Sequence, residues 1–218
     1  MTKYFDILKK TELFRGIEDD ELETALQCLG SEIKEIRRDT MFLLAGDKPQ
    51  YVGVVLAGQL YIIREDYNGN RSLVAAATPG DIFAEALCCA GVSESPVTVM
   101  AGADSTVMSL RFQRILQICP NTCAFHTKLI ENMLRLIAKK NLQLQSRMEI
   151  VSLKSVREKV MRYLESLMPI QGHHITVPFN REELANFLCV ERSALSHELA
   201  RMKKDGVIEY RKNHFLVK

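Results

Sequence analysis

The sequence predicts an α+β protein with an N-terminal β-roll of the jelly-roll type, a long central helix and a C-terminal winged helix-turn-helix. Short β-like runs separated by turn residues fill the stretch from Ser31 to about Leu110, whereas apolar residues recur at helical spacing after Phe112. A heptad pattern extends over residues 130–151, and two short amphipathic helices followed by a hairpin occupy residues 178–217.

Length and composition describe an ordinary globular chain. The 218 residues are 47% hydrophobic and 26% charged, which excludes a mostly disordered or low-complexity chain. No run reaches about 18 consecutive apolar residues, so no transmembrane helix is expected. The segment Met1–Phe14 mixes charged with apolar residues and has no secretory hydrophobic region. We therefore expect a cytoplasmic protein that does not engage a membrane.

The last third of the chain carries the excess positive charge. Residues 154–218 hold 12 Lys and Arg against 8 Asp and Glu, whereas residues 1–153 hold 17 against 19. A basic C-terminal unit behind a slightly acidic body is typical of a protein that contacts nucleic acid with that unit. The excess is mild, and charge alone does not decide the matter.

The first half of the chain combines short helices with many short strands. Leucines at helical spacing in residues 19–29 predict a helix before the strands. Asn68-Gly69 between two β-like runs is the strongest short-range hairpin signal, and many short strands at regular spacing favour a β-sandwich or jelly roll. The predicted strands include Thr40–Leu44, Tyr51–Leu56, Gln59–Arg64, Ser72–Ala76 and Ser105–Leu110.

Pro120 is predicted to end a short helix at residues 113–118, and one long helix is predicted after it. Its heptad positions are Ile130, Leu134, Ile137, Asn141, Leu144 and Met148. Such a seam packs against the same helix of a second copy, and a single polar residue in it favours an in-register parallel pair. The neighbouring residues Leu129, Met133 and Leu136 are expected to pack on the chain's own β-domain. The alternative is an ordinary core helix, because three heptads are the shortest repeat from which a coiled coil is predicted.

Residues 178–217 have the pattern of a winged helix-turn-helix. Asn180 and Glu183 have the spacing of a capping box that starts a first helix, and a second helix runs from about Arg192 to Lys204 after a three-residue turn. The inward positions of the second helix are Leu195, Leu199 and Met202. Two strands form the wing, Val207–Arg211 and His214–Val217.

The outer face of the second helix is predicted to enter the major groove of DNA. Arg192 can reach O6 and N7 of a guanine with two hydrogen bonds, and Ser193 and His197 can bond base edges or phosphates. Four further residues are better placed for phosphates, which position a protein without specifying sequence: Ser196, Arg201, Arg211 and Lys212. The alternative is a winged helix that binds protein and leaves this face in solvent.

The cysteines and the known catalytic motifs favour neither disulfides nor an enzyme. The six cysteines are expected to be reduced and mostly buried: Cys28, Cys88, Cys89, Cys119, Cys123 and Cys189. A metal site of the jelly-roll enzymes uses several histidines on the strands, and no histidine precedes His126. Serine-hydrolase, phosphate-loop and zinc-protease motifs do not occur. No catalytic residue and no metal ligand is therefore predicted.

The order of these parts and four motifs resemble the CRP/FNR superfamily of bacterial transcription regulators over nearly the whole chain. The motifs are Gly46-Asp47, Leu56-Ala57-Gly58, the run from Gly80 to Glu85, and the run from Arg192 to Leu199. The resemblance implies a homodimer on a near-palindromic operator in double-stranded DNA, a small effector in the β-roll and RNA polymerase as a further partner. It also implies base-reading roles for Arg192, Ser193 and His197, although His197 stands where an arginine is common.

The resemblance identifies a candidate effector pocket, but its residues depart from those of cyclic nucleotide-binding members. Those members have a Gly-Glu pair that holds the ribose and, about ten residues later, an Arg-Ser or Arg-Thr pair that holds the phosphate. Here Ala84 precedes Glu85, and Ser95-Pro96 occupies the second position, so cyclic AMP is not expected. The candidate pocket residues are Phe83, Ala84, Glu85, Ser95, Pro96, Val97, Leu144 and Gln145.

The nature of the effector and of any cofactor stays open at this point. A four-cysteine iron–sulfur cluster with three cysteines near the N-terminus is excluded, because only Cys28 lies there. A redox- or haem-responsive regulator that uses Cys88 and Cys89 is one alternative, and an effector-independent protein-interaction module is another. The expected domains are an effector domain at residues 1–119, a dimerisation helix at 120–153 and a DNA-binding domain at 154–218.

Overall fold

The computed structural model of the protein describes residues 2–117 and 124–218. Three features of the sequence analysis lie outside the described residues: the predicted helix break at Pro120, the cysteines at 119 and 123, and the domain boundary after residue 119. The chain divides into two compact units, Met1–Lys139 and Lys140–Lys218. None of the helices in the described ranges combines the length and the apolar character that crossing a bilayer requires.

The first unit is a β-roll with helices around it, as the sequence predicts. Two short helices precede the strands, α1 (Phe5–Leu8) and α2 (Asp19–Cys28). The strands are β1 (Glu32–Ile36), β2 (Met41–Leu43), β3 (Tyr51–Ala57), β4 (Leu60–Glu65), β5 (Arg71–Ala77), β6 (Ile82–Phe83), β7 (Thr98–Ala101) and β8 (Ser105–Arg111). The remaining helices are α3 (Glu85–Ala90), α4 (Phe112–Leu116) and the long α5 (Ala124–Ser152), which continues into the second unit.

Two antiparallel sheets make up the roll, in the orders β1-β8-β3-β6 and β2-β7-β4-β5. The predicted hairpin joins β4 to β5, and the Asp66 carboxylate accepts hydrogen bonds from the backbone amides of Asn68 and Asn70 at 2.9 Å each. Strand β3 is buried from Val52 to Leu56, and a Cβ on Gly53 would lie 2.0 Å from the Phe83 ring. The close contact of β3 with β6 therefore needs glycine at this position.

The start of α5 belongs to the core of the first unit. Leu129, Met133 and Leu136 are buried in one apolar cluster with residues of α2 and of the roll, which confirms the predicted packing on the chain's own β-domain. The side-chain amide nitrogen of Asn132 donates to the backbone carbonyl oxygens of Leu13 and Arg15 at 3.1 and 2.7 Å. This side of α5 is thereby held by both packing and hydrogen bonds.

The second unit contains the predicted winged helix-turn-helix. Its elements are α6 (Val156–Gln171), β9 (His174–Thr176), α7 (Arg181–Phe187), α8 (Arg192–Lys204), β10 (Ile208–Arg211) and β11 (His214–Val217). Capping boxes start α6 and α7: Ser155 with Glu158 and, as predicted, Asn180 with Glu183. The strand β9 was not predicted, and it extends the wing to a three-stranded sheet in the order β10-β11-β9.

Candidate DNA interface and effector region

Helix α8 presents one buried and one exposed face. Leu195, Leu199 and Met202 are fully buried in the core of the second unit, as predicted. The chain turns into α8 through Cys189, whose φ of +52° is left-handed, and the Val190 amide donates to the Ala185 carbonyl at 3.0 Å. All seven proposed DNA-contacting residues are exposed to solvent: Arg192, Ser193, Ser196, His197, Arg201, Arg211 and Lys212.

Helix α8 is fastened to α6 by a charged cluster around Arg157. The Nε of Arg157 donates to Glu198 at 2.6 Å, and its Nη2 donates to Asp205. These two hydrogen bonds raise the pKa of Arg157 above its usual value. Glu198 also lies 3.6 Å from Arg201, so Arg201 enters the cluster from the exposed face. The orientation of α8 therefore depends on ion pairs as well as on its buried leucines.

The wing is held by Arg181, a residue that the sequence analysis did not single out. Its guanidinium lies over the rings of Tyr210 and Phe215, at 5.3 and 5.9 Å from their centroids, and donates to the carbonyl of Lys212 at 3.2 Å. Burial lowers the pKa of Arg181. Lys212 itself has a φ of +54° at the turn between β10 and β11. Arg181 thus positions the turn that carries a predicted phosphate contact.

The effector region of the roll holds Ser95 in contacts with its own backbone. The Ser95 hydroxyl donates to the Val97 carbonyl at 2.7 Å, and its amide donates to the Asp47 carbonyl at 2.7 Å. The Gly46 amide in turn donates to the Ser95 carbonyl at 2.9 Å. Ser95 therefore joins two loops of the roll at the position where cyclic nucleotide-binding members are expected to carry arginine.

Phe83 and Glu85, two further residues of the candidate effector pocket, are both buried. The Phe83 ring makes an edge contact with Phe42, with centroids 5.3 Å apart, and belongs to the apolar core between the two sheets. Between Phe83 and Glu85, Ala84 adopts a left-handed conformation with φ of +62°. The backbone at Ala84 thus has the conformation that a glycine adopts without strain.

The strain at Ala84 gives a stability prediction. A residue with a Cβ costs about 1–2 kcal/mol in the left-handed region, and replacing it with glycine removes this cost. Part of the gain in stability is lost, because glycine makes the unfolded chain more flexible. Ala84→Gly is expected to raise the free energy of unfolding by about 0.5–1 kcal/mol in urea titration. The control is Ala86→Gly in the ordinary helical turn of α3, which is expected to lower it by a similar amount. Equal effects of the two changes would contradict the strain.

Neither cysteine of the Cys88-Cys89 pair has the surroundings of a reactive thiol. Cys88 is buried, and its thiol donates to the Tyr51 carbonyl at 3.5 Å. Burial first, and then the nearby Cys89 and Glu85, raise the pKa of Cys88 from 9.0 to about 11. Burial and Glu85 also raise the pKa of Cys89. The structure does not support the redox alternative at these two residues.

The raised pKa of Cys88 predicts slow alkylation in the folded protein. A rise of two pKa units leaves about a hundredfold less thiolate at mildly alkaline pH, and the thiolate is the reactive form. We expect iodoacetamide to modify Cys88 at least about a hundredfold more slowly than it does in urea-unfolded protein, as measured by peptide mass spectrometry. Exposed Cys189 serves as the reference thiol, and equal rates for Cys88 in the two states would contradict the prediction.

The predicted dimer seam lies on a helix face that is open in the single chain. Leu134, Leu144 and Met148 are 67%, 62% and 68% exposed. Ile130 and Ile137 are half-buried, and Asn141 and Gln145 are exposed. Across the described residues, no three His, Cys, Asp or Glu side chains form a group that could hold a metal ion.

Two family models match different parts of the chain. A cyclic nucleotide-binding domain matches residues 33–122, and a Crp-like helix-turn-helix domain matches residues 158–218. The chain belongs to the CRP/FNR superfamily. It is a CRP-like DNA-binding transcription regulator with a cyclic nucleotide-binding domain. The members of its family are transcription regulators rather than enzymes.

Solved structures with the same architecture cover nearly the whole CRP/FNR chain. The catabolite activator protein of Thermus thermophilus is 20% identical with a TM-score of 0.56, over 95% of this chain and 94% of that one. DNR from Pseudomonas aeruginosa is 16% identical with a TM-score of 0.53, over 100% and 95%. The c-di-GMP-responsive regulator CLP of Xanthomonas campestris is 15% identical with a TM-score of 0.59, over 92% and 99%. At these identities the likeness establishes the fold alone. No curated protein sequence matches the chain.

Proposed function

We propose that the protein binds near-palindromic DNA as a homodimer and that an effector other than cyclic AMP controls it from the β-roll. The observation that carries the proposal is the two-sided helix α8. Its apolar side is buried, while the side with Arg192, Ser193 and His197 faces solvent. A helix of this kind, joined by a short turn to a preceding helix and followed by a wing, fits the major groove.

The exposed apolar row on α5 supports the homodimer. Three large apolar side chains at heptad positions are more than half exposed in the single chain, and a second copy of the same helix would cover them. Asn141 in that seam favours an in-register parallel pair. Two recognition helices would then lie about 34 Å apart, one turn of DNA, and would read the two halves of a near-palindrome.

The contacts of Ser95 support an effector other than cyclic AMP. A cyclic phosphate in the roll needs a charge-assisted partner, and arginine is absent at the position of Ser95-Pro96. The Ser95 hydroxyl is already bonded to the Val97 carbonyl. The candidate pocket from Phe83 to Val97, with Leu144 and Gln145 on α5, remains the proposed effector region.

The proposed domain organisation follows the function. Residues 1–119 would form the effector domain, 120–153 the dimerisation helix and 154–218 the DNA-binding domain. An effector would shift the population between arrangements that do and do not fit DNA, with a hinge near Leu153, where α5 has ended and α6 has not begun. Cytoplasmic location and contact with RNA polymerase belong to the same proposal.

The DNA-binding part is tested by selecting bound duplexes from a random pool with the full-length protein. We expect an enriched near-palindrome whose half-site centres are one helical turn apart. Absence of any enriched sequence, together with capture of protein partners, would favour a protein-interaction module instead.

The effector part is tested by thermal shift of the full-length protein with cyclic AMP and c-di-GMP, the second because CLP is described as responsive to it. We expect no stabilisation by cyclic AMP at concentrations that saturate a cyclic AMP-binding control protein. A shift of several degrees with cyclic AMP would overturn this part of the proposal and leave the DNA-binding part untouched.

A further inference from the structure

A cysteine and a histidine that are 98 residues apart in the chain meet where α2 contacts α5. Cys28 is the last residue of α2, and His126 lies in the first turn of α5. The Cys28 Sγ is 3.8 Å from the His126 Nε2. This pair plays no part in the proposed DNA interface or in the proposed effector region.

The surroundings of His126 set this pair apart from an ordinary buried contact. The side chain is only 3% exposed, and its ring stacks on Phe125 with centroids 4.4 Å apart. Within the described residues its Nδ1 is buried and has no hydrogen-bond partner. A buried polar atom of this kind is costly and calls for an explanation. The ring nitrogen that faces the Cys28 sulfur is Nε2, which places a hydrogen-bonding nitrogen beside the thiol.

Cys28 also differs from the other cysteines whose surroundings the structure describes. It is half-buried and packs at the border of the apolar core of the first unit. Cys88 is buried and bonds a backbone carbonyl, and Cys89 and Cys189 are exposed without a histidine in hydrogen-bond contact. Cysteine reactivity requires both access and a nearby base, and Cys28 is partly exposed and has the His126 Nε2 within hydrogen-bond distance of its sulfur.

We propose that Cys28 is an oxidation site for hydroperoxides, with His126 as the base that accepts the thiol proton. The S–H proton passes to the His126 Nε2, and the thiolate sulfur attacks one peroxide oxygen. An S–O bond forms as the O–O bond breaks, and the departing hydroxide or alkoxide takes the proton from His126. The sulfur is oxidised by two electrons to sulfenic acid, and the peroxide is reduced to water or alcohol.

The experiment is a competition among the cysteines of the reduced full-length protein. The protein is treated with limiting hydrogen peroxide in the presence of dimedone, which traps sulfenic acid, and the adducts are quantified by mass spectrometry. The tryptic peptide of residues 16–34 contains Cys28 alone, and that of residues 182–192 contains Cys189 alone. We expect the adduct at Cys28 to form at least about tenfold faster than at Cys189.

The role of His126 is tested in the same assay with His126→Asn. We expect the rate at Cys28 to fall about tenfold while the rate at Cys189, an internal reference in the same molecules, stays unchanged. Should the variant fail to fold, iodoacetamide alkylation of the wild type at neutral pH is the second measurement, with Cys28 expected to react about tenfold faster than Cys189. A Cys28 that reacts no faster than Cys189, or that is indifferent to His126→Asn in folded protein, overturns the proposal.

Discussion

Arg192→Ala is expected to abolish the preference for one base pair in each half-site of the operator. A bidentate arginine–guanine contact is worth about 1–3 kcal/mol of discrimination, roughly 5- to 150-fold per half-site. The exposed position of Arg192 in the first turn of α8 leaves its side chain free to make such a contact. Because Arg192 is exposed and takes no part in the buried cluster of Leu195, Leu199 and Met202, the loss of its side chain is not expected to unfold the domain.

The measurement is a gel shift with the selected operator and with single-base variants of each half-site. Lys212→Ala is the matched control, since Lys212 is also an exposed cation but lies in the wing turn. We expect this control to weaken binding to all sequences alike and to reduce the salt slope by about 1 per protomer. An Arg192→Ala protein that keeps the wild-type ranking of operator variants would remove Arg192 from the base-reading residues.

The features that the sequence predicts correctly are those that depend on neighbours in the chain. The capping box at Asn180 needs only a glutamate three positions later. The buried face of α8 follows from spacing within a single helix, and the β4–β5 hairpin follows from Asn68-Gly69. Local patterns of this type carry the information on which the fold prediction depends.

The features that the sequence misses depend on contacts between distant residues. Strand β9 has three residues, of which only Ile175 is buried, and such a segment is too short to show periodicity. Arg181 holds a turn 31 residues away, and nothing in its own segment distinguishes it from any other helix-start arginine. The redox alternative names Cys88 and Cys89 because they lie in the roll, whereas the described cysteine that has a histidine beside it is Cys28, 98 residues from His126 in the chain.

The largest effect on assembly is expected from a charge in the α5 seam. In Leu144→Asp, a parallel pair of helices would bring two carboxylates together at a position that apolar side chains otherwise fill. Burial of such charges costs several kcal/mol, so we expect the dissociation constant of the dimer to rise at least about a hundredfold. Binding to the full operator is expected to weaken as well, because a single protomer engages only one half-site.

Leu142→Asp is the matched control, because Leu142 is the same residue type on the same helix and is 66% exposed, against 62% for Leu144. Leu142 lies outside the heptad positions, so the control is expected to dimerise like the wild type. Sedimentation velocity over a range of protein concentrations measures both variants. Loss of the dimer in both would show that the contact is not confined to the heptad positions, and a monomeric wild type at high concentration would refute the homodimer. The result thus separates a specific heptad seam from a helix that is merely apolar.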